Sequence, residues 1–363
     1  MKIIVCGGAG YIGSHLVREL STQPGYEIIV LDNLSKGHIK AVTKGIAFEK
    51  ADVRDKEALE QVFSKHKPDV VMHFCASIAV GESVTDPLGY YENNVVGSIY
   101  LLQAMQKHNV KYFIFSSTAA IFGNPEETPI PDDAPTKPIN PYGDTKLTVE
   151  KILAWTENAH GLKYVCLRYF NACGAHESGE IGEDHHPETH LIPLILQVAL
   201  GRRNCIKIYG NDYETKDGTC VRDYIHVTDL ATAHIKALEY IVKENKSQKF
   251  NLGSGEGYTV KEVIEAARKI TGHPIPEVVE ARRAGDPAIL IAGSTRAEQI
   301  LGWRRKYNTI EDIVATAWKY HKANINGYEK NFKSLSCNRR LQTVVASVGL
   351  AYKPSKIELE LDL

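Results

Sequence analysis

Along the first half of the chain, short runs of β-branched and aromatic residues alternate with stretches whose apolar positions recur at helical spacing. Residues 3–5, 27–31, 46–48, 69–74, 111–116 and 163–168 read as six strands. Helical spacing covers about 56–65, 88–107 and 142–159, and a first helix opens near Tyr11. The strand runs are continuous rather than alternating, so both sheet faces are covered. That pattern predicts an α/β fold with a Rossmann-type, doubly wound parallel sheet. Beyond about residue 170 the alternation weakens. Gly- and Pro-containing loops at 174–187 and 210–218 separate helical stretches near 191–200, 227–243 and 260–271. The expected division is a nucleotide-binding domain over 1–170, a smaller α/β lobe over 171–328, and a tail over 329–363. Within the tail, residues 357–363 alternate with period 2 but have no evident partner strand, and the segment reads as a weakly ordered extension.

Composition narrows the partners. Lys plus Arg total 43 against 44 Asp plus Glu, a net charge of −1, which excludes a global electrostatic grip on nucleic acid or an anionic membrane. No apolar run approaches the roughly 20 residues that span a bilayer. The seven cysteines are dispersed, without a C-x-x-C pair, as expected of reduced thiols in a cytoplasmic protein.

Three motifs carry chemistry. Gly7, Gly10 and Gly13 follow the first strand with G-x-x-G-x-x-G spacing, which lets main-chain N–H groups and a helix N-terminus approach a pyrophosphate. Asp32 ends the second strand, where a carboxylate accepts hydrogen bonds from ribose hydroxyls and repels a 2′-phosphate, favouring NAD over NADP. Tyr142 and Lys146 form a Y-x-x-x-K pair that shares one helix face. A nearby ammonium and an oxidised nicotinamide together lower a phenol's pKa and make it a usable base near neutrality. The Ser116-Ser117-Thr118 run ends the preceding strand and supplies a hydroxyl for relay.

With these motifs in this order, the chain resembles the extended short-chain dehydrogenase/reductase superfamily and, within it, the UDP-glucose 4-epimerases. The resemblance rests on GGAGYIGSH at 7–15, LDNLSKG at 31–37, HF at 73–74 and AVGES at 79–83. It continues through PLGYYENNVVGS at 87–98, SSTAAIFG at 116–123, PYGDTK at 141–146 and LRYFNACGAHESGEIGED at 167–184. Downstream it adds ETHLIPLILQVALG at 188–201, IYGNDYETKDGTCVRDYIHVTDLA at 208–231 and RRAGDP at 282–287, covering about 1–325 in all. It implies Tyr142 as base, Lys146 as its modulator and Thr118 as hydroxyl relay. It implies NAD contacts at Gly7, Gly10, Tyr11, Ile12, Gly13, Asp32, Asn33, Asp52, Val53, Phe74, Asn93, Tyr142, Lys146 and Phe170. It places UDP-sugar contacts at Thr118, Asn171, His190, Leu191, Lys207, Tyr209, Arg222, Arg283, Asp286 and Leu290. Arg222 and Arg283 suit a pyrophosphate, because guanidinium forks bind phosphate oxygens bidentately. Their alternative is ion pairing with Asp223 or Asp286.

Two positions depart from relatives: Ile78 stands where many epimerases carry Lys, and Leu290 where some carry Tyr. The resemblance implies C4 epimerisation of UDP-galactose and UDP-glucose by reversible hydride transfer to bound NAD, in a homodimer, with the N-acetylated pair admitted by Leu290. Close rivals are 4-epimerases of UDP-xylose/UDP-arabinose or of UDP-glucuronate. A non-catalytic NAD-sensing protein would lack the Tyr142/Lys146 pair. Dehydration is disfavoured, since Ala119 and Ala120 stand where that reaction needs carboxyl groups. The acidic and histidine-rich run 183–190 is not H-E-x-x-H, and Pro187 prevents a helix from aligning His186 with His190, so no metal is expected.

Overall fold

The computed structural model describes residues 1–283 and 287–328; Asp286 and the tail 329–363 lie outside the described residues. Residues Met1–Ile325 form one compact unit. Its first half runs β1 (Lys2–Cys6), α1 (Tyr11–Ser21), β2 (Glu27–Asp32), β3 (Ala47–Lys50), α2 (Lys56–His66) and β4 (Val70–His73). It continues through α3 (Val80–Thr85), α4 (Pro87–Tyr91), α5 (Gly97–Lys107), β5 (Tyr112–Thr118), α6 (Pro141–His160) and β6 (Lys163–Tyr169). The second half adds β7 (Asn171–Cys173), α7 (Leu191–Ala199), β8 (Ile206–Tyr209), β9 (Val221–Arg222), β10 (Tyr224–His226), α8 (Val227–Glu244) and β11 (Gln248–Leu252). It ends with β12 (Tyr258–Thr259), α9 (Val260–Thr271), β13 (Glu277–Glu280), β14 (Ile289–Leu290), α10 (Thr295–Leu301) and α11 (Ile310–Ala323).

The main sheet has seven parallel strands in the order β11-β6-β5-β4-β1-β2-β3. The side chains of β1 divide between two cores. Ile3 and Val5 join Leu16, Leu20, Leu230 and Leu238 on the α1/α8 face. Ile4 and Cys6 join Leu59, Phe63, Leu101 and Leu153 on the other. This is the two-sided burial that continuous apolar runs require. A third core, with Ile195, Val263 and Ile313, unites α7, α9 and α11. Because β2 and β3 lie on one side of β1 and β4 on the other, strand order reverses between β1 and β4. In open α/β sheets, ligands bind at the carboxyl ends of the strands beside such a reversal.

Two differences from expectation lie closest to the site. The single helix expected over 88–107 is interrupted by a π-helical turn at Glu92–Val96. There the buried Asn94 side chain bonds both the carbonyl and the N–H of Ser77, and the Thr145 hydroxyl on α6. The seventh strand, β11, is absent from the expected set. Lys249 and Asn251 interrupt its apolar pattern, yet Asn251 is buried, donating to the Ile130 carbonyl and, from its main chain, to Asp132.

Candidate active site

The cofactor side is built from main chain. Gly7 takes φ +80°, and a Cβ there would stand 2.6 Å from the Cys75 nitrogen. A Cβ on Gly13 would collide with the Gly7 carbonyl. The strand-turn-helix junction therefore closes only with glycine. Gly10 caps α1 without a side-chain hydrogen bond, and no acidic residue occupies the first turn. A helix N-terminus left bare by its cap, behind a turn stripped of side chains, fits a dinucleotide pyrophosphate. At the end of β2 the Asp32 carboxylate accepts from Ala9 N at 3.0 Å and Leu34 N at 2.8 Å. Burial nonetheless pushes its carboxyl up. Each oxygen keeps a lone pair for a ribose hydroxyl.

Asp52 is fixed from two sides, by Arg54 at 2.8 and 2.9 Å and by Asn33 at 2.8 Å. The Arg54 guanidinium holds its carboxyl well below the usual range. Val53 packs beside Gly97 at the start of α5. Phe74 rests against His234, 4.7 Å between ring centres, and Asn93 donates to Asn94 at 3.0 Å on the π-helical turn. Tyr11 donates to the Gly174 carbonyl at 2.6 Å, while Ile12 packs against the core.

The catalytic candidates meet where β5 ends. Asn140 caps α6 by accepting from Gly143 N at 2.9 Å, and Pro141 occupies the first turn, so the helix starts one residue before Tyr142. The Tyr142 phenol hydrogen-bonds the Thr118 hydroxyl, which favours the phenolate, but burial outweighs it and pushes the phenol up. One turn on, Lys146 is buried and donates to the Ser116 carbonyl at 2.8 Å, 4.8 Å above the Phe115 ring. Burial lowers the ammonium to about 8. Within the protein alone, burial dominates the phenol.

Sequence reasoning missed the support beneath these residues. Glu150, one turn beyond Lys146, is fully buried and accepts from Ser117 Oγ at 2.7 Å and from Arg168 at 2.9 and 2.6 Å. Lys249 lies 3.2 Å away. Burial works against the Glu150 carboxylate, but Arg168, Lys249 and Ser117 together hold its pKa down. This network pins β5 against α6 and so seats Thr118 beneath Tyr142. The available signal was a charged residue, Arg168, inside an otherwise apolar strand.

The sugar-side candidates come from separate elements. Leu290 and Phe170 pack on the cluster of Ala119, Phe122 and Leu147, directly after Thr118. Arg222 pairs in strand register with Leu290 and donates to the Val221 carbonyl at 2.7 Å. Asn171 donates to the Asp223 carbonyl at 2.8 Å. The Asp223 carboxylate accepts from Ser254 N and Ala292 N, at 2.8 and 3.0 Å. Arg283 lies 3.9 Å over the Tyr209 ring. His190 caps α7 and Leu191 is its first residue. Lys207 is exposed and pairs with Glu280 at 3.0 Å.

Residues 3–253 match the NAD dependent epimerase/dehydratase family. The UDP-glucose 4-epimerase of Halalkalibacterium halodurans is 54% identical over 333 residues, 92% of this chain and 99% of that one. A solved UDP-glucose 4-epimerase superposes with a TM-score of 0.89 at 49% identity, covering 91% of this chain and all of the other. The Bifidobacterium longum UDP-glucose 4-epimerase, solved with NAD+ and UDP, gives 0.86 at 42% identity over 90% of this chain and 100% of its own. The dinucleotide cradle, the Tyr142/Lys146 helix and this extent of similarity have one consequence: the chain belongs to the NAD dependent epimerase/dehydratase family.

Proposed function

We infer that this protein is a UDP-glucose 4-epimerase, an isomerase that interconverts UDP-galactose and UDP-glucose with NAD as its cofactor. The observation that carries the site assignment is the convergence of Tyr142, Thr118 and Lys146 at the carboxyl end of β5. NAD, when bound, would supply a reversible hydride acceptor for sugar C4 and a positive charge that lowers a neighbouring phenol's pKa. The cradle of Gly7, Gly10 and Gly13 holds the pyrophosphate, Asp32 the adenosine ribose, and Asp52, Val53, Phe74 and Asn93 the remaining surface.

Tyr142 removes the proton of the C4 hydroxyl, directly or through Thr118, and restores it to the 4-keto oxygen after the sugar has turned. Lys146 orients from below. Arg222 and Arg283 grip the UDP pyrophosphate, so the ketone turns without leaving. Ala119 and Ala120 offer no acid or base for eliminating water.

The reading extends to three neighbouring points. Leu290 beside Phe170 supports access for the N-acetylated sugars. Leu88 on α4 and Trp155 on α6, 81% and 73% exposed, support a homodimer through these helices. Free thiols at Cys6, Cys75, Cys166, Cys173, Cys205 and Cys220 favour a reducing cytoplasm, and no helix among the described residues is long and apolar enough to cross a membrane.

Separate incubations with UDP-galactose, UDP-xylose and UDP-glucuronate, with products identified by chromatography, test the function. Fastest conversion of UDP-galactose to UDP-glucose is expected. Faster turnover of either other sugar overturns the substrate, and no turnover of any overturns the enzyme.

A further inference from the structure

The loop from β7 to α7 brings His190 together with Glu183, His185 and Glu188, three side chains that the epimerase chemistry does not need. Glu183 and Glu188 have side chains only 4% and 5% exposed. His190 Nδ1 lies 2.8 Å from Glu183 Oε1 and 2.9 Å from Glu188 Oε1. His185 Nδ1 lies 3.2 Å from the same Glu183 oxygen and 3.9 Å from Glu188 Oε2. One donor atom from each residue falls within a sphere where all four are at most 4.8 Å apart. We propose that Glu183, His185, Glu188 and His190 form a site for a divalent first-row metal ion, with Zn2+ the best match.

Three observations carry this assignment. The first is spacing. Zinc bonds of about 2.0–2.1 Å to imidazole nitrogen and carboxylate oxygen give a tetrahedron with edges of roughly 3.3 Å. Glu183 Oε1 stands 2.8 and 3.2 Å from the two histidine nitrogens, both slightly short of that edge, and the four donors span at most 4.8 Å, so small side-chain shifts close the tetrahedron. The second is charge. Two nearly buried carboxylates share one small volume, and burying such a pair without a counter-cation is costly. The third is an orphan. His185 Nδ1 is closed off from solvent and has no hydrogen bond in line with it. A lone pair aimed into a carboxylate cluster suits a metal ligand better than an ion-pair donor.

The sequence argument against a metal rests on a helix that would align His186 with His190. The loop needs no helix. It uses His185 instead, while the exposed His186 turns to Asp184 at 3.3 Å. The ion's role is structural. The His185 ring stands edge-on to Tyr11, 6.1 Å between centres, and His38 lies 3.0 Å from the Asp184 carbonyl. A bound metal would tie the start of α7 to the dinucleotide turn.

The test uses the full chain without a histidine tag, stripped by chelator and titrated with zinc chloride against a chromophoric chelator. One equivalent per chain, a rise in Tm, and a tetrahedral visible spectrum with Co2+ are expected. The double variant His185→Asn/Glu188→Gln should bind zinc at least tenfold more weakly and lose the Tm rise. It keeps every cysteine, so thiol binding cancels in the comparison. Should that variant misfold, His185→Gln alone gives the same comparison. No zinc uptake by the wild type, or equal uptake by a folded variant, makes the cluster an ion-pair network only and overturns the proposal. None of these readouts uses turnover, so the site stands or falls separately from the epimerase assignment.

Discussion

The cofactor side and the sugar side of this molecule are built from different materials. The heart of the cofactor side is main chain, with Asp32 and Asp52 set around it: glycine turns at 7–13, the strand ends of β1 and β2, and a helix terminus without a side-chain cap. The proposed sugar side is side chain: Asn171, His190, Tyr209, Arg222, Arg283 and Leu290 come from separate short elements and loops. A main-chain site is tied to the fold, because the same glycines that admit a pyrophosphate also let β1 meet α1. A side-chain site is tied to specificity, because each residue can change without undoing its neighbours. Damage to the first should cost cofactor and stability together; damage to the second should redirect substrate choice.

Tyr142 stands where the two regions meet, and its loss should have the largest effect. Tyr142→Phe removes only the phenol oxygen. Turnover should fall at least about a hundredfold, the scale of a lost general base, with UDP binding nearly intact by calorimetry. Near-normal turnover would remove Tyr142 from the mechanism. Next is Gly13→Ala, whose Cβ meets the Gly7 carbonyl inside contact distance. It should destabilise the protein by roughly 1–3 kcal/mol and lower the NAD that co-purifies. If NAD content fell with Tm unchanged, the shared-backbone argument would be wrong.

Acid should weaken both regions alike. Burial holds His15 on α1 and His234 on α8 at about 4, and His226 on β10 at about 3, against an ordinary value of 6.5. Each is neutral when folded, so the unfolded chain binds more protons between that value and 6.5. The stability this contributes is present above about pH 6.5 and drains away towards pH 4. Going from pH 7.5 to 5 should cost roughly 2 kcal/mol per histidine. His234→Leu should flatten the Tm–pH curve; an unchanged slope would mean that His234 is already charged in the folded state.

How legible each region was follows from the same difference. The parallel sheet, Asp32 and the Tyr142/Lys146 pair were readable because glycine spacing, strand ends and i, i+4 faces are local. β11 was not, because Lys249 and Asn251 are polar residues whose partners, Glu150, Ile130 and Asp132, lie more than a hundred positions upstream or nearly so. The Glu150–Arg168 pair, only 18 positions apart, was hidden because it joins a helix to a strand, and the π-helical turn depends on Asn94 finding Ser77 and Thr145. The 183–190 loop was readable in composition but not in shape: nothing local says that His185, not His186, joins His190.

The smallest effect on the native reaction, and the cleanest view of the sugar side, should come from Leu290→Tyr. Leu290 is half-buried on β14 and, like Phe170, packs on the Ala119–Phe122 turn that follows Thr118. In the proposed site that places it next to the reacting end of the sugar, with Arg222 opposite it in strand register. The 4-keto sugar must present both faces, so its 2-substituent sweeps two positions during one turnover. A hydroxyl clears either position; an N-acetyl group needs the space that leucine leaves and a tyrosine ring would fill. Leu290→Tyr should therefore cut turnover of UDP-N-acetylglucosamine about tenfold or more, within the range one pocket contact supplies, and leave UDP-glucose turnover within about twofold. Comparison of kcat/KM for the two substrates checks this. Equal losses on both would show that Leu290 packs the site rather than gates it, and rejection of N-acetylated sugars by the wild type would show that the space is closed by something else.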